Sequence, residues 1–329
     1  MSIDANNHGG LKSFEPIHLL NPMGFKYKTW DNKIYPPFYS PEKIKWLQNN
    51  WHTDENDIFI CTHQKVGTHL TKKFLCEILR NTIDYPTNNG ISSGDIGHNT
   101  IPWPEVMVSQ HGEDHFLAHL EATKGLPRVW YTHCSAHDLP FRAAHPNSKF
   151  IHVFRDPKGV FVSQYHFYRS HPMLGVSDKM SYDDFLSFFL EGNLYFGDYH
   201  IHTLDWINNL DERIKKDKLL VLRYEDLVER KLDSVKTLSN FILNKHNLTE
   251  HQFEQIIKTT EFNKMKQEMI ENPQSFHFNP QTFFRSGTCY DWMEKLNSNQ
   301  INQIDTKSKS IWGENNTSAP DLKKVQTVK

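Results

Sequence analysis

The chain has 329 residues, with 37 Lys and Arg against 39 Asp and Glu and a formal charge of -2. So small a net charge creates no global field for nucleic acid or an anionic membrane, and any anion must be held by a local site. Hydrophobic residues make up 37% and aromatic residues 13%, enough apolar surface for a continuous core, and the length fits one large α/β domain.

Residues 1–20 are polar, so the N-terminus is expected to fray and one domain to occupy 21–313, with a second frayed stretch over 314–329. The first continuous apolar run, Asp57–Thr62, reads as a strand buried on both faces. It leads through His63, Gln64, Lys65, Val66 and Gly67 into an amphipathic helix over Thr68–Arg80, whose apolar face is Leu70, Phe74, Leu75, Ile78 and Leu79. A glycine at that turn lets backbone amides face inward at the positive end of the helix, and Lys65 adds a full charge, making an oxyanion cradle. The loop is not G-x-x-x-x-G-K-[ST], because Lys65 precedes the glycine; taken alone it reads as structural, Thr68 being an ordinary N-cap.

Residues 87–127 mix Gly, Asn, Ser, Pro and His and read as a long irregular insertion, a lid or acceptor pocket. Strands follow at Arg128–Thr132 and Lys149–Phe154. Pro157 suits the first turn of the next helix, Lys158–Ser170, with Asp156 as its cap and Arg155 at the strand's carboxyl edge. Arg155 and Ser163 can converge on one phosphate; an Arg-Asp salt link with a surface serine is the equal alternative. A fourth strand, Lys218–Leu222, and a helix, Leu227–Leu243, complete the pattern. Strand, helix, strand implies right-handed crossovers and a three-layer α/β/α sandwich around a mainly parallel sheet, with ligands beyond the carboxyl ends of the strands.

Cys61, Cys76, Cys134 and Cys289 stand far apart with no C-x-x-C pair, which argues against a disulfide scaffold and a structural zinc site. His133 and His137 have i, i+4 spacing, but Pro140 and the β-rich residues ahead of His133 disfavour a helix, so solvent-facing histidines and no metal are expected. No run approaches the roughly 18 apolar residues that span a bilayer, and the first residues lack the basic start and apolar core of a signal peptide, so the expected address is the cytoplasm.

Arg155–Phe167 resembles the 3'-phosphate-binding motif R-[DN]-P-K-x-x-x-V-S-x-Y-H-F of the cytosolic-type sulfotransferases that use 3'-phosphoadenosine 5'-phosphosulfate (PAPS). Thr62–Leu70 resembles that family's phosphosulfate loop T-Y-P-K-S-G-T-T-W, Tyr224–Leu227 its Y-E-D-[LM], Thr260–Lys266 its T-S-F-x-x-M-K, and Phe284–Trp292 its F-R-K-G-x-x-G-D-W. The resemblance covers about Phe25 to Trp312. It implies a P-loop-like phosphosulfate-binding loop and transfer of a sulfuryl group from PAPS, leaving adenosine 3',5'-bisphosphate (PAP), with no metal.

By the same resemblance, Lys65, Val66, Gly67, Thr68, His69 and Leu70 form the loop around the 5'-phosphosulfate, and Lys65 also neutralises the leaving oxygen. Arg155, Ser163, Arg285 and Gly287 hold the 3'-phosphate, Phe284 and Ser286 belong to the same cofactor-binding motif, and Tyr224 and Phe262 take the places of adenine contacts. His133 aligns with the histidine base of K-T-H-L-P, a task that suits imidazole. The chain departs from the pattern at His63-Gln64 for Tyr-Pro, Val66 for Ser, His69 for Thr, Leu70 for Trp, Ser286 for Lys and Tyr131 for Lys. The family dimer motif K-x-x-x-T-V-x-x-x-E is missing from Met293–Asn302, which implies a monomer or another interface.

Two other readings of the site are a metal-dependent small-molecule kinase using Lys65 on ATP and a catalytically inactive nucleotide-binding homologue. The acceptor is expected to be a small molecule with a hydroxyl or amine. Asp95, His98, Glu105, His111, Glu113, Asp114, His115 and His119 either solvate a loop or line a polar pocket, with a cationic guanidinium alkaloid as one acceptor such carboxylates could receive.

Overall fold

The computed structural model describes residues 18–20, 25–82, 101–170, 174, 176, 179–208, 214, 216–243, 248–271 and 283–320. Three short strands, β1 (His18–Leu20), β2 (Phe25–Trp30) and β3 (Lys33–Tyr35), form an antiparallel sheet ahead of the main body. The continuous apolar runs form the central sheet: β4 (Asp57–Thr62), β5 (Arg128–Thr132), β6 (Lys149–Phe154) and β7 (Leu219–Arg223), all parallel, in the order β5-β4-β6-β7. Every residue of β4 and β5 is buried, as strands covered on both faces must be.

Alternation along each strand divides the core into two layers. Ile58, Ile60, Ile151 and Val153 face one cluster with α2 (Thr68–Thr82) and α5 (Pro157–Ser170), through Phe74, Ile78, Val160 and Phe161. Phe59, Cys61, Phe150 and Phe154 face the other, with α1 (Pro41–Asn50), α3 (Pro104–His111), α4 (Glu113–Ala122) and α7 (Tyr199–Asn208), through Leu47, Val108, Phe116 and Trp206. The result is the three-layer α/β/α sandwich expected from the strand and helix order.

Several expectations are corrected. The insertion is not irregular where it is described: α3 opens on Pro104 as its first residue and ends at Gly112, whose φ of 89° starts α4 in a new direction. Residues 87–100 lie outside the described residues. The fourth strand is displaced by one residue, and the helix after it breaks at Arg230 into α8 (Tyr224–Glu229) and α9 (Lys231–Leu243). His18–Leu20 pairs with β2, and Ala319 packs against the second core cluster; residues 1–17 and 321–329 lie outside the described residues. The sequence reading also missed α6 (Tyr182–Glu191), α10 (Glu250–Thr259), α11 (Phe262–Glu271) and the helix Ser298–Trp312. Among the described residues no helix is long and apolar enough to cross a membrane. All four cysteines are buried and unbridged.

Candidate active site

Cys61 lies beside Thr132, Thr62 beside Val153 and Phe154 beside Arg223. The segments that follow therefore leave the sheet at neighbouring points on its carboxyl edge, where such sheets bind ligands. They open on one cavity of about 720 Å³. Lys65, Gly67, Thr68, His69, Leu70, His133, Arg155, Ser163, Tyr224, Phe262, Phe284, Arg285, Ser286 and Gly287 all line it. Val66 is the exception: its side chain is fully buried in the core with α2 and α5 and anchors the loop from below.

The loop after β4 is held by its backbone. Lys65 and Gly67 both take positive φ, 67° and 110°. A Cβ on Gly67 would fall 2.5 Å from Cδ2 of Tyr224, so glycine is what lets the Tyr224 ring close on the loop. Thr62 and Thr68 share a hydroxyl hydrogen bond of 2.8 Å that ties the strand end to the first turn of α2. The Lys65 ammonium sits over two rings, 4.1 Å from the centroid of Phe283 and 4.7 Å from that of Phe167. Burial, and then the neighbouring Arg155 and Arg285 cations, lower it to about 7.

Arg155 comes off β6 onto the same loop. Its Nη1 donates to the Lys65 carbonyl at 3.3 Å, and its guanidinium stacks on Tyr224 at 4.3 Å. Gly159 makes room for it, since a Cβ there would lie 2.8 Å from the Arg155 Nε. The alternative Arg-Asp link is not made: Asp156 pairs with Lys158 at 3.3 Å and accepts the Lys158 amide at 2.9 Å, capping α5. Among the described residues Arg155 has no ion-pair partner, whereas Arg285 pairs with Asp291. Phe262 lies on Gly287, where φ is 70° and a Cβ would fall 2.8 Å from the Phe262 Cγ; Phe284 meets Phe262 edge-on at 5.5 Å.

His133, directly after β5, also lines the cavity. Its Nδ1 donates to the Thr62 carbonyl at 2.8 Å, which leaves Nε2 as the acceptor of the neutral ring. Trp103 packs edge-on against it at 4.9 Å. Burial, with smaller effects from His63, Lys72 and Lys65, lowers His133 to about 3, so the imidazole is neutral at physiological pH. The lining also includes an apolar set, Phe38, Pro102, Trp103, Val106, Met107, Tyr131 and Tyr195, with the polar Gln110, His111 and His115 beside it.

No Asp or Glu lines this cavity among the described residues. The carboxylates expected to receive a cationic acceptor are elsewhere: Glu105 turns inward to hydrogen-bond with Thr132 and Cys134, and Glu113 and Asp114 are off the cavity. His111 and His115 do line it, His119 packs on Trp130 at 5.4 Å, and Asp95 and His98 lie outside the described residues. The carboxylate ligands that a magnesium-dependent kinase would need are also missing from the described lining. No group of three or more His, Cys, Asp or Glu among the described residues is arranged to hold a metal ion.

The histidines are not all on the surface. His63, His133, His152, His200 and His202 are buried, and partners on other elements hold two of them: His152 bonds to the Cys61 carbonyl at 2.9 Å, and His202 to the His133 and Cys134 carbonyls at 3.1 Å each. Imidazole donors thus find backbone carbonyl acceptors in the interior. The sequence reading missed Phe283, Lys231 and Thr260 in the lining. It also missed what Phe167 does, although Gly159, Ser163 and Phe167 recur at four-residue spacing on one face of α5.

The Sulfotransferase domain model matches residues 55–316. The chain is 33% identical over 280 residues to sulfotransferase 6B1 of Danio rerio, covering 84% of each. It is 25% identical over 271 residues to a 3-beta-hydroxysteroid sulfotransferase of Cavia porcellus, covering 81% of this chain and 87% of the relative. The crystal structure of mouse sulfotransferase SULT7A1 complexed with PAP has the same fold, with a TM-score of 0.67, 22% identity and coverage of 88% of this chain and 94% of that one. A phosphosulfate-type loop, a strand-end arginine and a strand-end histidine on one cavity, within a domain matched across 55–316, place this chain in the sulfotransferase family.

Proposed function

We propose that the protein transfers the sulfuryl group of PAPS to the hydroxyl of a small, neutral, flat acceptor, with His133 as the base. The observation that carries this is the convergence of Lys65 and Arg155 on one cavity whose described lining has cations and no carboxylates. Such a cavity favours a nucleotide with charge at both ends. Lys65, Gly67 and Thr68 would hold the 5'-phosphosulfate, and Arg155, Ser163, Arg285, Ser286 and Gly287 the 3'-phosphate. Tyr224, Phe262 and Phe284 supply aromatic faces for the base, and the missing tryptophan at Leu70 is offset by those rings.

In the transfer step the acceptor oxygen forms a bond to sulfur as the bond between sulfur and the bridging phosphate oxygen breaks. His133 Nε2 takes the acceptor proton, and the Lys65 ammonium neutralises the charge gathering on the leaving oxygen. The products are a sulfate ester and PAP. The apolar wall of Phe38, Trp103, Val106 and Tyr195 favours a planar phenol or fused-ring alcohol, in keeping with relatives named as hydroxysteroid and flavonol sulfotransferases.

The test is sulfate transfer from labelled PAPS to a panel of phenolic, steroidal and cationic acceptors, beside calorimetry with PAP. His133→Ala should lower turnover by at least about a hundredfold while PAP binding stays within about twofold, the range expected of a general base. Near-normal turnover of the variant rules out the base, and no binding of PAP by the wild-type protein rules out the nucleotide.

A further inference from the structure

Helix α2 carries two adjacent lysines that are each only 1% exposed, and they are held in opposite ways. The Lys73 ammonium lies 3.1 Å from Glu77 and 3.1 Å from Glu268, so its charge is paired within α2 and across to α11. The Lys72 ammonium has no hydrogen-bond partner and no ion pair among the described residues; it sits over the Tyr131 ring, 4.0 Å from the centroid. A buried ammonium with neither acceptor nor counter-ion is among the costliest groups a fold can hold. Contact with the face of one phenol offsets only part of that cost.

The position of Lys72 shows what its charge faces. Lys72 is four residues after Thr68 and therefore on the same side of α2. Thr68 and Tyr131 both line the cavity, and Lys72, which does not line it, lies over the Tyr131 ring. Of the two lysines that act on His133, Lys72 has the larger effect, ahead of Lys65. No fixed carboxylate among the described lining stands between this charge and the cavity. The field of a buried charge there is weakly screened and reaches an anion that the side chain does not touch.

We propose that Lys72 is a further cation of the sulfuryl-transfer site, left uncompensated among the described residues so that its counter-charge is the anionic nucleotide bound in the cavity. The inference rests on the nucleotide reading above. Lys72 acts through its field and through the Tyr131 ring it lies over, so it is a positioning residue. A burial cost that lowers its ammonium to about 7 in the unliganded protein is consistent with a site still awaiting its anion.

Lys72→Met keeps the length and apolar bulk of the side chain and removes the charge. Because the charge burdens the empty fold, the unliganded variant should melt at a higher temperature than wild type. Its affinity for PAP, read by calorimetry, should fall about tenfold, the size of one charge acting across several ångströms of protein. Lys73→Met is the control and should do the reverse, lowering the melting temperature with PAP affinity unchanged. A Lys72→Met protein that binds PAP as wild type does, or that melts lower, overturns the proposal, the second outcome marking the lysine as structural. If wild-type protein binds no PAP, both this inference and the nucleotide reading fall; if only the variant's effect is missing, the nucleotide reading stands.

Discussion

Arg155, at the end of β6, donates a hydrogen bond to the backbone carbonyl of Lys65, in the loop after β4, at 3.3 Å. One cation thus holds the turn that carries the other, and both face the same cavity. Like charges this close repel, and the Lys65 ammonium is lowered to about 7 by burial and then by Arg155 and Arg285. Such crowding is favourable only when an anion sits between the charges.

Removing Arg155 should therefore separate binding from stability. Arg155→Met loses a charge with no ion-pair partner among the described residues, so the melting temperature should change by no more than a few degrees. Affinity for PAP should fall about 10- to 100-fold, the range of one or two charge-assisted hydrogen bonds. Arg155→Lys should not restore it, because an ammonium lacks the planar fork that stacks on Tyr224. Calorimetry on the three proteins decides this, and wild-type affinity in Arg155→Met would remove the arginine from the site.

The pH dependence follows from Lys65 and, over the same range, from Lys72. The ordinary Lys65 value of 10.5 falls to about 7 in the empty cavity, so as pH rises through 7 the free protein loses the charge that attracts the nucleotide. A bound polyanion restores the proton, so PAP binding above pH 7 should take up protons. Calorimetry in buffers of differing ionisation enthalpy reads that uptake. His133, lowered to about 3, supplies no acidic limb near 6.5. The profile of kcat/KM for PAPS should be flat from pH 5.5 to about 7 and fall on the basic side, and Lys65→Arg, which keeps its proton, should lessen that fall, the remainder belonging to Lys72, which is also lowered to about 7.

Much of this site was legible because its residues follow strands. Asp57–Thr62, Arg128–Thr132 and Lys149–Phe154 are largely apolar runs; His133 and Arg155, directly after the second and third, line the cavity, as does Gln64, two residues after the first. The fourth strand slipped by one residue because a basic residue flanks the apolar run on each side, Lys218 and Arg223, and pattern alone does not say which one enters the ladder. What stayed hidden depends on distant partners. Phe167 and Phe283 enclose Lys65 from opposite parts of the chain, and Glu105 reads as a polar loop residue until α3 is seen to pack its first turn against β5. The buried histidines were misread for the same reason, since the carbonyls they satisfy belong to other elements.

Gly287 and Gly125 both take positive φ, 70° and 74°, but in different surroundings. An alanine Cβ at 287 would meet the Phe262 ring at 2.8 Å, whereas at 125 it would meet nothing within 4 Å. Both substitutions cost about 1–2 kcal/mol of left-handed backbone strain. Only Gly287→Ala should also displace Phe262 and weaken PAP binding, by about tenfold if one base contact is lost. Equal affinity in the two variants would show that Phe262 does not touch the nucleotide.

Glu105 gives the sharpest prediction about the acceptor wall. It is fully buried in the first turn of α3, where Thr132 donates to its carboxyl and the Cys134 thiol lies 3.0 Å away. These two partners flank His133, and the preceding Trp103 packs on its ring at 4.9 Å. One carboxyl thus fastens the helix carrying Val106 and Met107 to both sides of the proposed base. Glu105→Ala leaves Thr132 and Cys134 without their acceptor and opens a void, a loss of about 2–4 kcal/mol. It should raise the acceptor KM and lower kcat while PAP affinity holds. Glu105→Gln keeps a carbonyl that can accept both bonds and should remain close to wild type. Burial raises the carboxyl from its ordinary 4.5 to about 7, so the folded protein binds an extra proton between those values. Its stabilising share is complete below 4.5 and is lost as pH rises through 7. The melting temperature of Glu105→Gln should therefore gain on wild type across that window, and parallel curves would show that the carboxyl does not titrate there.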